Sequence, residues 1–475
     1  MSLYRTQSLK TFITHPRSIA SFADSLFAYF GDTVSNSAWK PLQNICRAQV
    51  INVLKNIDIG SIVLTTTTSE ALEFGNLTEG HGDLRAKLTI KDDSFWVRVA
   101  LFTDLGLAES FMVGEVESDD IYPLFKVCLH HDPDLAFVDL QIEQILIHNR
   151  KHLTALETWT AAVLSQARKL TSIKFLGDLM NSKANISAHY DIGVVMFKAF
   201  TDERMVYSTA IWKDFERNTL DESLEDAQLR KLKMLINKLK LQSGHRILEI
   251  GTGWGAFPIL AAKCFDCTID TVTLSATQAE YARKLIADEN LSDRITVHHM
   301  DYRDCLLKPE WKGQFDRFLS VEMMEHVGKD YLSEYWSMVD WVLKPQDGVG
   351  VVQVMTIPEA RIPAYDQSGV DFVQKWGTGG KLLVDSIFNI APHYPGTLLE
   401  WKRRFLENWE DQIAPELTTQ FGLDYDGLEI FKRRWTYYFD YCAAGFATRT
   451  LGDHVITFTR EGNTAFGCDY TVDEN

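Results

Sequence analysis

The stretch Arg246-Ile247-Leu248-Glu249-Ile250-Gly251-Thr252-Gly253-Trp254-Gly255-Ala256-Phe257 decides the fold. Its first five residues read as a short buried strand, and alternate glycines break that strand before an apolar helical run reaches Lys263. The same grammar repeats downstream. Strands are expected at Ile269 to Leu274, Ile295 to Met300, Phe315 to Val321 and Val349 to Val354. Helical segments lie between them, from Thr277 to Glu289 and from Glu322 to Leu343, with Lys344-Pro345 as a stop. Strands alternating with helices imply a parallel sheet covered on both faces. In such sheets the ligand sits beyond the carboxyl ends of the strands, where every loop named here falls.

Upstream the pattern changes. Residues 1 to about 58 read as mostly helical, and Ser61 to about Leu101 reads as a small antiparallel α+β region. Its strand candidates are Ile62 to Thr67, Leu88 to Ile90 and Phe95 to Val99. Residues 140 to 185 lack strand signals and fit helices. The expected division is an α+β domain over 1–140, a helical linker over 141–185 and the strand–helix domain over 186–475.

Composition narrows the function. The chain has 475 residues, 45% hydrophobic and 24% charged, which excludes a mainly disordered protein. A net charge of −17 argues against nucleic acid as a partner. The seven cysteines are scattered and odd in number, which suits a reduced, cytoplasmic protein. Cys264 and Cys267 lack a second ligand pair, so no metal site is expected. No apolar run is long enough to span a bilayer. The arm before Asp24 is basic and free of acids, a feature of transit peptides, of membrane-surface helices and of ordinary N-terminal arms.

The glycine turn leaves room for a bulky ligand but lacks the later glycine of the dinucleotide fingerprint. No anion-binding lysine follows it, which argues against a nucleoside triphosphate. Two carboxylates, Glu249 and Asp301, are expected at the crevice with Thr273, Ser275 and Gln278. That set suits a nucleoside with a zwitterionic amino-acid tail. Singly, each has a plain alternative: Thr273 and Gln278 as helix caps, Asp301 as a solvated strand end.

Further motifs carry a family resemblance. They are His189-Tyr190-Asp191-Ile192-Gly193, Met205-Val206-Tyr207-Ser208-Thr209-Ala210, Val272-Thr273-Leu274-Ser275 and Asp301-Tyr302-Arg303-Asp304. Glu322-Met323-Met324-Glu325-His326-Val327-Gly328 and Tyr438-Phe439-Asp440-Tyr441-Cys442-Ala443 complete them. Together with the glycine turn, they resemble the cyclopropane-fatty-acyl-phospholipid synthases over most of residues 60–460, with a tail closest to the eukaryotic branch. Leu105 to Gly114 resembles the N-terminal domain of the longer members.

The resemblance implies a class I methyltransferase: a Rossmann-like, mixed seven-stranded sheet with helices on both faces. It implies S-adenosylmethionine as cofactor, held by Tyr190, Tyr207, Ser208, Glu249, Gly251, Gly253, Trp254, Gly255, Thr273, Leu274, Gln278, Asp301, Tyr302 and Arg303. It implies methyl transfer to the double bond of an unsaturated phospholipid acyl chain, with Glu325, Tyr438, His326, Thr209 and Ile357 at the chemistry. Bicarbonate, held by the residues matching Glu325, Tyr438 and Ile357, is the base that the family suggests. Thr209 stands where Cys is usual and Met355 where His is usual, and both changes remove groups from that pocket. The stretch from Gly380 to Pro392 is shorter than the family's, with a sixth strand expected at Lys381 to Ile387. Transient contact with a membrane surface and pairing into a homodimer are further expectations. The alternatives are a related amine methyltransferase and a lipid- or cofactor-binding protein with a decayed active site.

Overall fold

A computed structural model describes residues 36–55, 57, 60–76, 85–129, 193–214, 222–328, 331–357 and 382–466. The chain divides into two compact units, each discontinuous in sequence. One comprises 1–175, 358–367 and 405–450, and the other 176–357, 368–404 and 451–475. The boundaries expected near residues 140 and 185 lie outside the described residues.

Among the described residues the first unit begins with helix α1 (Asn36–Leu54), strands β1 (Gly60–Thr65), β2 (Ala71–Asn76) and β3 (Arg85–Ile90), and helix α2 (Ser94–Met112). A two-residue strand β4 (Val116–Glu117) and helix α3 (Tyr122–Leu129) follow. Two readings are corrected here. Phe95 to Val99 is not a strand but the start of α2. The run, apolar but for Arg98, is compatible with either state; it continues as a 19-residue helix, just ahead of which Asp92 accepts the Ser94 amide at 2.7 Å. The sheet is also mixed rather than antiparallel: β1 pairs β2 antiparallel but β3 parallel. Arg98 is buried and bridges Glu109 at 3.2 Å and Glu115 at 2.9 Å, which ties α2 to the turn that follows it.

The second unit holds α4 (Val194–Phe200), α5 (Leu224–Lys238), β5 (Arg246–Ile250), α6 (Ala256–Cys264), β6 (Thr268–Thr273), α7 (Ala276–Asp288) and β7 (Ile295–His299). It continues with β8 (Arg317–Val321), α8 (Leu332–Val342), β9 (Val349–Thr356), β10 (Leu382–Asn389) and α9 (Tyr394–Glu407), whose last turn crosses into the first unit. Helices α10 (Ala414–Phe421) and α11 (Tyr425–Ala447) belong to the first unit. There α11 packs on α2 and α3 and buries Tyr437 and Ala444 in their core. Strand β11 (Gly452–Arg460) returns to the second unit.

The large sheet has seven strands in the order β10-β11-β9-β8-β5-β6-β7. Strands β5 to β9 pair parallel, and β11 alone runs antiparallel to both its neighbours, β9 and β10. The expected sixth strand is thus present as β10, at the edge. The helix expected between Glu322 and Leu343 is split: a short 3₁₀ turn (Met324–His326) precedes α8. Apolar side chains on both faces form two cores, one with Ile247, Phe257 and Ala282, the other with Leu248, Phe318 and Trp336.

Gly350 on β9 lies opposite Phe458 on β11, whose ring fills the space a side chain would take. A Cβ there would lie 2.1 Å from Phe458 Cζ. Gly350→Ala is therefore expected to destabilise the protein by about 1–3 kcal/mol through overpacking. A thermal-unfolding midpoint equal to wild type would contradict this.

Candidate active site

The carboxyl ends of β5, β6 and β8 open into one cavity. The chain leaves β5 at Glu249-Ile250 and turns through the glycines. Gly253 has φ of +51°, and a Cβ there would meet nothing within 4 Å. Gly255 caps α6 in the left-handed region, with Ala282 of α7 only 3.4 Å from where its Cβ would be. One glycine therefore leaves space for a ligand, and the other lets two helices approach.

Glu249 lies at the cavity wall, buried and bonded by the Thr271 hydroxyl, which sits 2.8 Å from Thr252 Oγ1. Burial raises its pKa to about 8, opposed by Thr271 and Lys231. A ligand ammonium beside it would restore the charged form. At the end of β6, Thr273 Oγ1 donates to Gln278 Oε1 at 2.9 Å and accepts the Ser275 amide at 3.1 Å. Ser275 itself caps α7, so Thr273 and Gln278 are left as a linked pair on the cavity wall.

Aromatic rings enclose the space. Tyr207 stacks on Trp401 at 5.0 Å and meets Phe197 edge-on at 5.1 Å. Trp254 packs on Phe197 and Tyr281. Trp254 Nε1 and the Tyr302 hydroxyl are buried without hydrogen-bond partners among the described residues. Two orphaned buried donors on a cavity wall are costly unless a ligand supplies acceptors.

The cavity thus gathers Tyr207, Ser208, Glu249, Gly251, Gly253, Trp254, Thr273, Leu274, Gln278 and Tyr302. Gly255, Asp301 and Arg303 stand outside its lining. Asp301 caps the 3₁₀ turn Tyr302–Leu307, and Arg303 grips its carboxylate at 2.6 Å and 2.8 Å. Tyr190 lies outside the described residues. These groups fit S-adenosylmethionine: an open cradle at Gly253, orphaned donors, and a carboxylate that burial leaves short of a cation.

A second cluster adjoins the cavity at the ends of β8 and β9. Glu322, at φ +46°, lines the cavity. Its Oε1 accepts from the Thr209 amide at 3.0 Å and Gln353 Nε2 at 2.7 Å, and its Oε2 from the Tyr394 hydroxyl at 2.6 Å. Gln353 also reaches Asp453 of β11 at 3.0 Å. Burial holds the Asp453 carboxyl well above its usual range, and Glu322 adds to this. Glu325 follows on the 3₁₀ turn. Its Oε1 accepts the Met355 amide at 3.4 Å, while its Oε2 is buried with no partner among the described residues. Burial, then the charge of Glu322, raises its pKa to about 8.

His326 is exposed and lines the cavity. Thr209 is buried, and its hydroxyl donates to the Ala210 carbonyl at 3.2 Å. Ile357 directly follows β9. Tyr438 is on α11 in the first unit, half-exposed, with its ring edge-on to Trp435. The Thr209 hydroxyl is thus committed elsewhere, and the Met355 side chain offers no donor. Within the second unit the Thr209 and Met355 side chains therefore add no donor for a bicarbonate anion.

Four residues of the cluster escaped the sequence: Lys231, Gln353, Tyr394 and Asp453. Two left a signal. Gln353 interrupts the apolar strand Val349–Val354, and Lys231 falls on the buried face of α5 beside Ala227, Gln228 and Leu235.

The strand order, the single reversed strand and the glycine turn define a class I, S-adenosylmethionine-dependent methyltransferase. Residues 178–455 match the family of mycolic acid cyclopropane synthetases, and the chain belongs to it. Cyclopropane-fatty-acyl-phospholipid synthase of Escherichia coli (strain K12) is 30% identical over 392 residues, spanning 80% of this chain and 89% of that protein. Tuberculostearic acid methyltransferase of Mycobacterium tuberculosis is 30% identical over 393 residues, spanning 78% of this chain and 82% of its own. The crystal structure of coclaurine N-methyltransferase bound to N-methylheliamine and SAH shares the fold. Its TM-score is 0.52 at 18% identity, covering 75% of this chain and 99% of that one.

Proposed function

We propose that the protein transfers a methyl group to the double bond of an unsaturated phospholipid acyl chain and closes a cyclopropane ring. The observation that carries this reading is the buried, unpartnered Oε2 of Glu325 beside a cofactor cavity in a chain of this family. The bound cofactor supplies an electrophilic methyl on a sulfonium. The rest falls to the chain's own residues. Tyr207 and its aromatic neighbours keep water from the reacting carbons. Attack by the alkene leaves positive charge on the adjacent carbon, which Glu322 and the aromatic faces stabilise. A C–H bond of the new methyl then breaks. Its electron pair closes the ring, and its proton passes to Glu325 Oε2.

Incubation with S-adenosylmethionine and dioleoyl phosphatidylglycerol vesicles should add one CH₂ per modified chain by mass spectrometry. Absence of any modified lipid would refute the acceptor. The buried carboxylates also suit an amine, whose ammonium form they would bind and whose proton they would take before its lone pair attacks, which makes amine methylation the second reading. Competition between amine and lipid acceptors separates the two.

We further propose transient contact with the membrane surface. Leu383, Val384, Ile387 and Phe388 are exposed on the edge strand β10 and offer an apolar contact. The net charge of −17 opposes lasting adhesion to anionic lipid. No helix among the described residues is long and apolar enough to cross a membrane. Replacing Leu383 and Ile387 by Ser is expected to reduce sedimentation with vesicles severalfold while sparing cofactor affinity. Unchanged sedimentation would remove β10 from the contact. The N-terminal region is proposed to help engage lipid, and ultracentrifugation of the protein alone tests for a homodimer.

A further inference from the structure

We infer that Lys231 binds the α-carboxylate of the cofactor, with Ser208 holding its ammonium in place; this rests on the S-adenosylmethionine reading and deepens it. Lys231 is 1% exposed and lines the cavity together with Ser208 and Glu249. Its Nζ donates one hydrogen bond, to Ser208 Oγ at 2.5 Å. Among the described residues it forms no ion pair. A lysine ammonium has three protons to place, so two remain for a ligand.

The carboxylates around it are engaged elsewhere, except that Asp453, held by Gln353 through Oδ2, keeps a buried Oδ1 without a partner among the described residues. Asp202 accepts the Val206 amide at 2.7 Å and the Arg204 amide at 3.3 Å. Glu249 is held by Thr271, and Glu322 by Thr209, Gln353 and Tyr394. They favour the charged lysine from a distance, yet burial still pulls it down to about 8. A buried cation with no contacting anion, on the wall of a cavity, is matched when the ligand brings the anion.

The position is also fixed. One turn earlier on α5, Gln228 donates to the Ser208 carbonyl at 2.8 Å, so the segment carrying Ser208 is pinned to the helix that carries Lys231. Thr273 ends β6, Gln278 lies in the first turn of α7 and Tyr302 follows β7, and the three suit the nucleoside. Glu249 and Lys231 then face the two charges of the amino-acid tail, carboxylate to ammonium and ammonium to carboxylate. The competing role is that of a fixed counter-charge for Glu322 and Asp453, which would involve no ligand contact.

The test is a cycle on the full chain by calorimetry. S-adenosylhomocysteine and its decarboxylated analogue, which lacks only the carboxylate, are each bound to wild type and to Lys231→Met. Wild type should prefer the intact ligand by about 10- to 100-fold, the range of a charge-assisted hydrogen bond. Lys231→Met should bind both ligands alike. The variant should melt no lower than wild type without ligand, because a buried charge has been removed. Should the Met variant fail to fold, Lys231→Gln keeps a donor for Ser208 without the charge and gives the same reading. Equal weakening of both ligands, or preserved preference, would overturn the assignment alone. If wild type bound neither ligand, the cofactor reading would fall, and this inference with it.

Discussion

Replacing Glu325 with Gln will lower turnover by about 10²- to 10⁴-fold, the usual contribution of a positioned base, with cofactor affinity kept within about twofold. The amide fills the same space and can still accept from Met355, but it cannot take the proton that ring closure releases. The pH dependence carries the same signature. With a pKa of about 8, Glu325 gains its basic form as pH rises, so wild-type turnover should climb through that range. The Gln variant should lose that climb. Stability runs the opposite way. A carboxyl whose pKa is raised in the fold contributes stability fully present below its unfolded value of 4.5. That contribution is lost as pH rises through about 8. The Gln variant should therefore melt higher than wild type at alkaline pH. Turnover within tenfold of wild type, with the climb intact, would move the base elsewhere.

Gly253→Val should weaken binding of S-adenosylhomocysteine by about 100-fold or more, as read by calorimetry. A β-branched residue at φ +51° is strained by about 1–2 kcal/mol, and its methyls point where no protein atom lies within 4 Å. The fold can bear that cost, whereas a ligand that needs the same space cannot share it. Gly255→Val is the contrast. Its Cβ would just touch Ala282 and Ile259, so the added methyls crowd them at a φ of +94°, and it should lower the melting temperature more than it weakens the ligand in the folded fraction. Wild-type affinity in the Gly253 variant would refute the placement of the cofactor.

The alternation from Arg246 to Val354 was legible because each strand is short, apolar and closed by a turn residue. The glycine turn was legible for a related reason, since a ligand-bearing turn restricts which residues it tolerates. Phe95 to Val99 was misread because four apolar residues around Arg98 satisfy a strand and a helix equally. The 19-residue length of α2 settles the matter. The carboxylate cluster was half legible. Glu322 and Glu325 sit in one motif, but their partners come from the Thr209 segment, β9 and α9, and β11 joins through Asp453. Gln353 and Asp453 meet across 100 residues of sequence. No local pattern marks such a pair. Only the register of β11 against β9 brings them together.

That same strand sets the order in which the molecule can be made. While the chain is still emerging from the ribosome, β9 has a parallel partner on one side only, and its other edge waits for β11. Between them the chain leaves for α10 and α11, which join the other compact unit, before it returns. Until residue 460 is synthesised, an apolar edge stays unpaired, the condition that favours aggregation and chaperone capture. The second unit therefore completes its sheet only after the last helix of the first unit has been made.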